Sequence, residues 1–362
     1  MPDVTIIGAG PAGSTAAFAL ASRGWDVTLI EQHRFPRDKV CGESLSALGV
    51  DVLKRLGLAE RLEALGPTIL RQTILHATDG RQLACPLPRP MWGLSRGVLD
   101  TTLLESARAA GSRVVQPARV ESLFPLSVRS LEDNRIESLE SSWVILADGK
   151  GALLPLRPPP TTDLGVKAHF EHVTGPRDAV ELFGVHGHYV GLAPIERGLS
   201  NIAFSLPTSR LDRFGGDLDA LWQQILTENS TLADRFTRAR QVGGWLASPL
   251  PRFPVMRTWP ARVIPLGNAT AALEPIGGEG MGLALRSAEL AAAALDHAER
   301  TQTPLPVRHL QSQFTRLWRT RRLACRTLAR LLSSPALAGD LLDLARDNTP
   351  LSRAAMAMIG KS

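Results

Sequence analysis

The chain opens on a short β-branched run, Val4–Ile7, that stops abruptly at Gly8. A run this rich in β-branched residues is the composition of a strand buried on both faces. Residues 14–22 then turn to the Ala- and Leu-rich spacing of a helix, Gly24 stands where a C-cap belongs, and residues 25–30 read as a second strand. The pattern predicts strand, turn, helix, strand. A polar stretch over residues 32–44 follows, then a helix over 46–56. Residues 69–77 and 82–87 alternate as a hairpin turned at Asp79-Gly80, with a third strand over 91–95. A helix over 98–110 and strands over 112–115, 118–124 and 142–147 complete the first half.

Beyond a proline run at residues 156–160 the alternation is of antiparallel type, with strands over 166–173, 180–183, 188–194 and 199–206 and a turn at Arg197-Gly198. Helices are expected over 218–226 and 232–238. A strand over 262–265 stops sharply at Gly267-Asn268, a long Ala/Leu helix covers 280–299, and the remainder reads as helical. The fold class is therefore α/β, α+β overall. A Rossmann-type domain is expected from residues 1–155 and 250–300, with a β insert near 68–97. An antiparallel domain would span 156–249, and helices 301–362.

Composition changes this picture little. At 362 residues the chain exceeds the usual single domain. The net charge of +6 is concentrated after Thr301, where ten basic residues stand against three acidic ones, so the body is near neutral. Neither a nucleic-acid motif nor interleaved aromatics accompany the basic tail, and no nucleic-acid partner is expected. Three cysteines without metal-type spacing, no secretory pattern at the start and no transmembrane-length apolar run predict a cytoplasmic protein without a metal.

The candidate chemistry begins in the first turn. In Gly8-Ala9-Gly10-Pro11-Ala12-Gly13, Gly8 makes the tight turn, Gly10 lets backbone approach a pyrophosphate, and Gly13 lets the helix pack on the strand. Glu31 closes the second strand, where a carboxylate can accept from an adenosine ribose. This is a dinucleotide site. Near the other end, Leu266-Gly267-Asn268 and Glu274-Pro275-Ile276-Gly277-Gly278-Glu279-Gly280-Met281-Gly282 form a second strand, glycine-rich turn and helix start. Such a turn can hold an extended anionic or carbonyl-rich ligand, which a nicotinamide dinucleotide alone does not require.

These segments, with Lys39-Val40-Cys41-Gly42-Glu43-Ser44 and Ile145-Leu146-Ala147-Asp148-Gly149, together resemble the FAD-dependent oxidoreductases of the aromatic-hydroxylase fold over residues 1–300. Within that fold they look most like the geranylgeranyl reductase branch, alongside related monooxygenases and flavin-dependent halogenases. The resemblance implies FAD as cofactor and NAD(P)H as a transient electron donor. It implies that Gly8, Gly10, Pro11, Ala12, Gly13, Glu31 and Gln32 bind the ADP portion, with Lys39, Cys41, Gly42, Arg96, Asp148 and Gly149 also at the cofactor. Gly267 and Asn268 would lie at the ribityl and pyrophosphate, and Pro275, Gly278, Gly280 and Met281 over the flavin ring. The pattern usually has aspartate where this chain has Asn268. Reductases carry Tyr-x-Trp-x-Phe-Pro where this chain has Tyr189-Val190-Gly191-Leu192-Ala193-Pro194, so Gly191 and Ala193 should enlarge a cavity. No lysine lies between Lys54 and Lys150, where a halogenase would need its catalytic lysine.

The implied activity is reduction of a carbon–carbon double bond in a small hydrophobic isoprenoid or polyketide, with hydroxylation of an aromatic or polyketide ring as the alternative. A non-catalytic lipid-binding protein of the same fold is the reading from another class. Cys41 and Tyr189 are the candidate catalytic residues. Glu43 is either a general acid or a helix-capping carboxylate, and His169, His186 and His188 are weighed as site or structural residues. In the tail, Phe314, Leu317, Trp318, Cys325, Leu328, Leu331 and Leu332 recur at helical spacing beside Arg319, Arg322, Arg326 and Arg330. That pattern fits either a peripheral membrane contact through residues 310–335 or packing on the body.

Overall fold

A computed structural model describes residues 3–149, 153–154, 163–250 and 253–347. Its first layer is a parallel sheet in the order Val263–Pro265, Trp143–Leu146, Val4–Ile7, Val27–Ile30, Arg113–Val115. Val4–Ile7 and Val27–Ile30 are buried at every position, which is what a β-branched strand covered on both faces requires. The helix Pro11–Ala21 starts three residues before its apolar spacing suggests, because Pro11 occupies the first helical position, where a missing N–H costs nothing. Its alanines pack on the alanines of the long helix Gly280–Arg300. The proline run at 156–160 lies outside the described residues, as does everything beyond residue 347.

The second layer is an eight-stranded sheet that draws on both halves of the chain. Its order is Arg240–Pro249, Asp163–Glu171, Ser200–Pro207, His188–Pro194, Ala179–Val185, Thr68–His76, Gln82–Gly93, Ser44–Leu45. The hairpin expected as an insert of the first domain therefore belongs to this sheet, where Thr68–His76 pairs in parallel with Ala179–Val185. Residues 82–87 and 91–95 are not two strands but one, Gln82–Gly93. Pro88 and Pro90 fall where the ladder with Thr68–His76 is interrupted, between the pairs Leu70–Met91 and Gln72–Pro86, so they break no pairing.

Besides the two-residue Ser44–Leu45, three strands escaped the periodicity. Leu126–Ser130 and Ile136–Ser138 join Ala118–Leu123 in a small sheet, and Arg240–Pro249 is a mostly exposed edge strand with no apolar alternation. The helix Val307–Leu332 carries the tail's apolar stripe. Leu310, Phe314 and Trp318 are buried in the core of the first layer, while Cys325, Ala329 and Leu332 are buried against the large sheet. The stripe is thus covered by the body. Among the described residues, no helix is long and apolar enough to cross a membrane.

Candidate cofactor cleft and active site

The first turn forms one end of a cleft of about 630 Å³, lined among others by Gly8, Gly10, Glu31, Gln32, Lys39 and Asp148. Gly8 has φ +96°, and a Cβ on it would lie 2.6 Å from the Ala147 carbonyl oxygen. A Cβ on Gly13 would lie 1.8 Å from the Gly8 oxygen, so helix and strand meet backbone to backbone. Glu31 is buried and braces the turn: its carboxylate accepts from the Ala9 and His33 amides, each at 2.8 Å. Pro11 and Ala12 are buried beneath the turn.

Gly10 is the exception to this crowding. A Cβ there would meet only the terminal guanidinium nitrogens of Arg37 and Arg96, both at 3.9 Å. Arg96 is held by Asp100 through bonds of 2.9 and 2.6 Å, and Arg37 Nη1 lies 3.5 Å from the same carboxylate. Two guanidiniums sharing one carboxylate leave a net positive charge. Arg37 Nε is buried with no hydrogen-bond partner, a donor aimed at nothing the protein supplies. Open backbone, surplus positive charge and an unmet donor at a helix start fit an anion of pyrophosphate type. Sequence reasoning found Arg96 but missed Arg37, which carries no motif of its own.

Beyond Val40, which lines both spaces, lies a small apolar chamber of about 100 Å³. Cys41, Gly42, Pro275 and Gly278 form one side, and Tyr189, Gly191 and Ala193 of the sheet form another. The small side chains at 191 and 193 do line it, but Met91, Leu182, Leu250 and Ile276 also border it and it stays narrow. Tyr189 donates to Glu274 Oε1 at 2.9 Å. The Glu43 amide donates to Cys41 Sγ at 3.4 Å, and Asn201 Nδ2 donates to the Cys41 carbonyl at 3.0 Å.

The two glycine turns converge. A Cβ on Gly267 would touch the Ala12 side chain at 3.3 Å, and one on Gly278 would touch Met91 at 3.4 Å and Ser44 at 3.7 Å. Gly149, with φ +73°, faces the Lys39 ammonium. Not every expected residue joins them. Asn268 and Gly280 are exposed and border neither space, and the Met281 side chain is packed among Leu45, Leu53, Trp92 and Leu285. A methionine one residue into a buried helix start is drawn into the core, leaving only its backbone for a ligand.

The residues missed most clearly are Lys167 and Glu274. Lys167 is 1 % exposed and pairs with Glu43, whose carboxylate also takes the Arg96 amide at 2.8 Å. Glu43 therefore does cap a helix start, but with a lysine and a histidine as further partners. Burial alone would raise the Glu43 pKa; His169, Lys167 and the Arg96 amide more than offset it and hold it below the ordinary value. The available signal was Lys167 and His169 two apart in an apolar strand, hence on one face.

His186 is exposed, and His188 is buried away from both spaces. Burial and the Arg210 guanidinium push the His188 pKa down to about 3. The unfolded chain takes up this proton near 6.5, whereas the folded chain resists it until about 3. Its contribution is complete above pH 6.5 and falls, by about 1.4 kcal/mol per pH unit, as pH drops from there towards 3. Acid melts of wild type and His188→Gln are expected to diverge over this window, with the variant the flatter.

Residues 1–154 match the family model described as FAD binding domain. This part of the chain is an FAD-binding domain. The FAD-binding domain and the chain that follows it align with kynurenine 3-monooxygenase of Stenotrophomonas maltophilia, at 27% identity over 82% of this chain and 72% of that one. Digeranylgeranylglycerophospholipid reductase 2 of Methanopyrus kandleri is 25% identical over 81% of this chain and 78% of its own. Of two other curated relatives the chain spans only 63% and 24% of the length. The fold is that of a flavin-dependent brominase, with a TM-score of 0.82, 19% identity, and coverage of 99% of this chain and 93% of that one.

Proposed function

We propose that the chain is an FAD-dependent oxidoreductase that saturates a carbon–carbon double bond of an apolar isoprenoid or polyketide, drawing electrons from NAD(P)H. The observation that carries this reading is the chamber's lining: mostly apolar side chains, with one phenol, that of Tyr189, which donates to Glu274 just outside the lining. Gly10, Arg37 and Arg96 would hold the cofactor's pyrophosphate, Glu31 its ribose, and the Pro275–Gly277 loop with Gly278 its ring. When bound, the flavin supplies hydride chemistry.

The protein's own part is to exclude water, orient the substrate and deliver a proton. Tyr189 holds a proton at its hydroxyl, 2.9 Å from Glu274 Oε1, on the wall that a substrate must touch. The likeness to the Methanopyrus reductase supports an isoprenoid substrate. Halogenation is disfavoured because Lys167, the buried lysine nearest the chamber, has its ammonium bound to Glu43 and Asp38 and does not line the space. The chain has one dinucleotide turn, so NAD(P)H is expected to dock only transiently.

Hydroxylation is the second reading, supported by the kynurenine 3-monooxygenase likeness. Oxygen uptake and anaerobic turnover separate the two. Substrate reduced under argon with NADPH is the expected result; oxygen consumed in step with substrate selects hydroxylation. Protein that stays colourless after reconstitution with FAD rules out both and leaves a binding role.

A further inference from the structure

Between the cleft and the chamber lies a charged cluster that the proposed chemistry does not use. Glu43 is fully buried and adopts the left-handed region, φ +54°, which a glutamate keeps only when its surroundings enforce it. Lys167 Nζ lies 2.6 Å from Glu43 Oε1, 3.1 Å from Asp38 Oδ1 and 3.2 Å from His169 Nε2. His169 Nε2 is in turn 2.5 Å from Glu43 Oε2. The candidate ligand atoms of Asp38, Glu43 and His169 all lie within 4.8 Å of one another. Two carboxylates and an imidazole so placed are a divalent-ion donor set, yet an ammonium from the chain itself lies in contact with all three.

We propose that Asp38, Glu43 and His169 form a cation site whose resident ion is Lys167, and that this internal ion fastens the loop of residues 38–44 to the strand Asp163–Glu171. The loop supplies Asp38, Lys39 and Val40 to the cleft and Val40, Cys41 and Gly42 to the chamber, while the strand supplies Gly165 and Val166 to the chamber. Loop and strand already touch, since a Cβ on Gly165 would lie 2.9 Å from Val40 Cγ1. Lys167 borders neither space, so it is a positioning residue: it sets where the two halves of the cofactor site stand relative to each other. Asp38 is the most exposed member of the site, with its side chain 50% exposed and lining the cleft, whereas the His169 side chain is 14% exposed.

Lys167→Ala removes the ion and leaves its three ligands around a void. FAD release from the purified yellow variant, followed by the rise in flavin fluorescence on dilution, is expected to be about tenfold faster than from wild type. Added Mn²⁺ or Zn²⁺ should bind the variant one to one, bind wild type not at all at this site, and slow release towards the wild-type rate. Lys167→Met, whose side chain fills the void, should release FAD as fast as the alanine variant and gain nothing from metal. Release at the wild-type rate from Lys167→Ala, or metal bound without any slowing, overturns the proposal. Should Lys167→Ala not fold, Glu43→Gln/Lys167→Met removes both buried charges together. Fast FAD loss from that folded double variant supports the fastening, and wild-type retention overturns it. The metal titration reads the site independently of the reaction, so a wrong substrate class leaves this test intact.

Discussion

A Gly10→Val protein is expected to fold with near-normal stability and to be isolated without flavin. The backbone at Gly10 is extended, with φ −72° and ψ −174°, a conformation open to any residue. No protein atom lies closer than 3.9 Å to a Cβ there, and the nearest atoms are the ends of two flexible arginines. The stability change should therefore stay within about 1 kcal/mol. The branched methyls would stand between the turn and the Arg37 and Arg96 guanidiniums, where phosphate oxygens must enter. Losing two or more charge-assisted bonds weakens binding on the order of a hundredfold or more. The ratio of flavin to protein absorbance, read beside a thermal melt, checks both halves. A folded variant that keeps stoichiometric FAD contradicts the assignment of this turn.

Three residues on, Gly13→Ala is expected to do the reverse and damage the protein itself. Its methyl would sit 1.8 Å from the Gly8 carbonyl oxygen and 3.2 Å from Ala147 Cβ. Neither the Gly8 oxygen nor the strand behind it can turn aside, so the helix Pro11–Ala21 must lift from the sheet it covers. Overpacking within side chains typically costs 1–3 kcal/mol, and a backbone collision belongs at or above the top of that range, at about 3 kcal/mol. That is a large share of the roughly 5–15 kcal/mol of a folded protein. A urea midpoint that falls well below wild type, in the absence of added FAD, is the expected result. An unchanged midpoint would mean that helix and strand do not meet as closely as described.

The contrast shows what a sequence exposes and what it conceals. The parallel layer was legible because Val4–Ile7 and Val27–Ile30 are buried on both faces and so read as short runs of β-branched and aliphatic residues without a charge. The glycine turns were legible because Gly8 and Gly13 leave no room for a Cβ and Gly267 and Gly278 hold a left-handed backbone. Arg240–Pro249 was hidden: an edge strand with most residues in water has no reason to alternate. The parallel pairing of Thr68–His76 with Ala179–Val185 was hidden too, because side-chain periodicity identifies a strand but not its neighbour. Arg37, Lys167 and Glu274 act through contacts with residues distant in sequence, at Asp100, Glu43 and Tyr189. The Met281 side chain is taken up by the core because a helix start and a core position coincide in one residue.

The order of strands in the larger sheet also limits how the gene could be divided. A cut anywhere between residues 93 and 163 would part Thr68–His76 from Ala179–Val185 and strip five backbone pairings from each piece. Each fragment would carry a raw, adhesive margin into solution. Neither half is a transplantable module, and any ancestor assembled by fusing two free-standing proteins must have rewoven its strands afterwards.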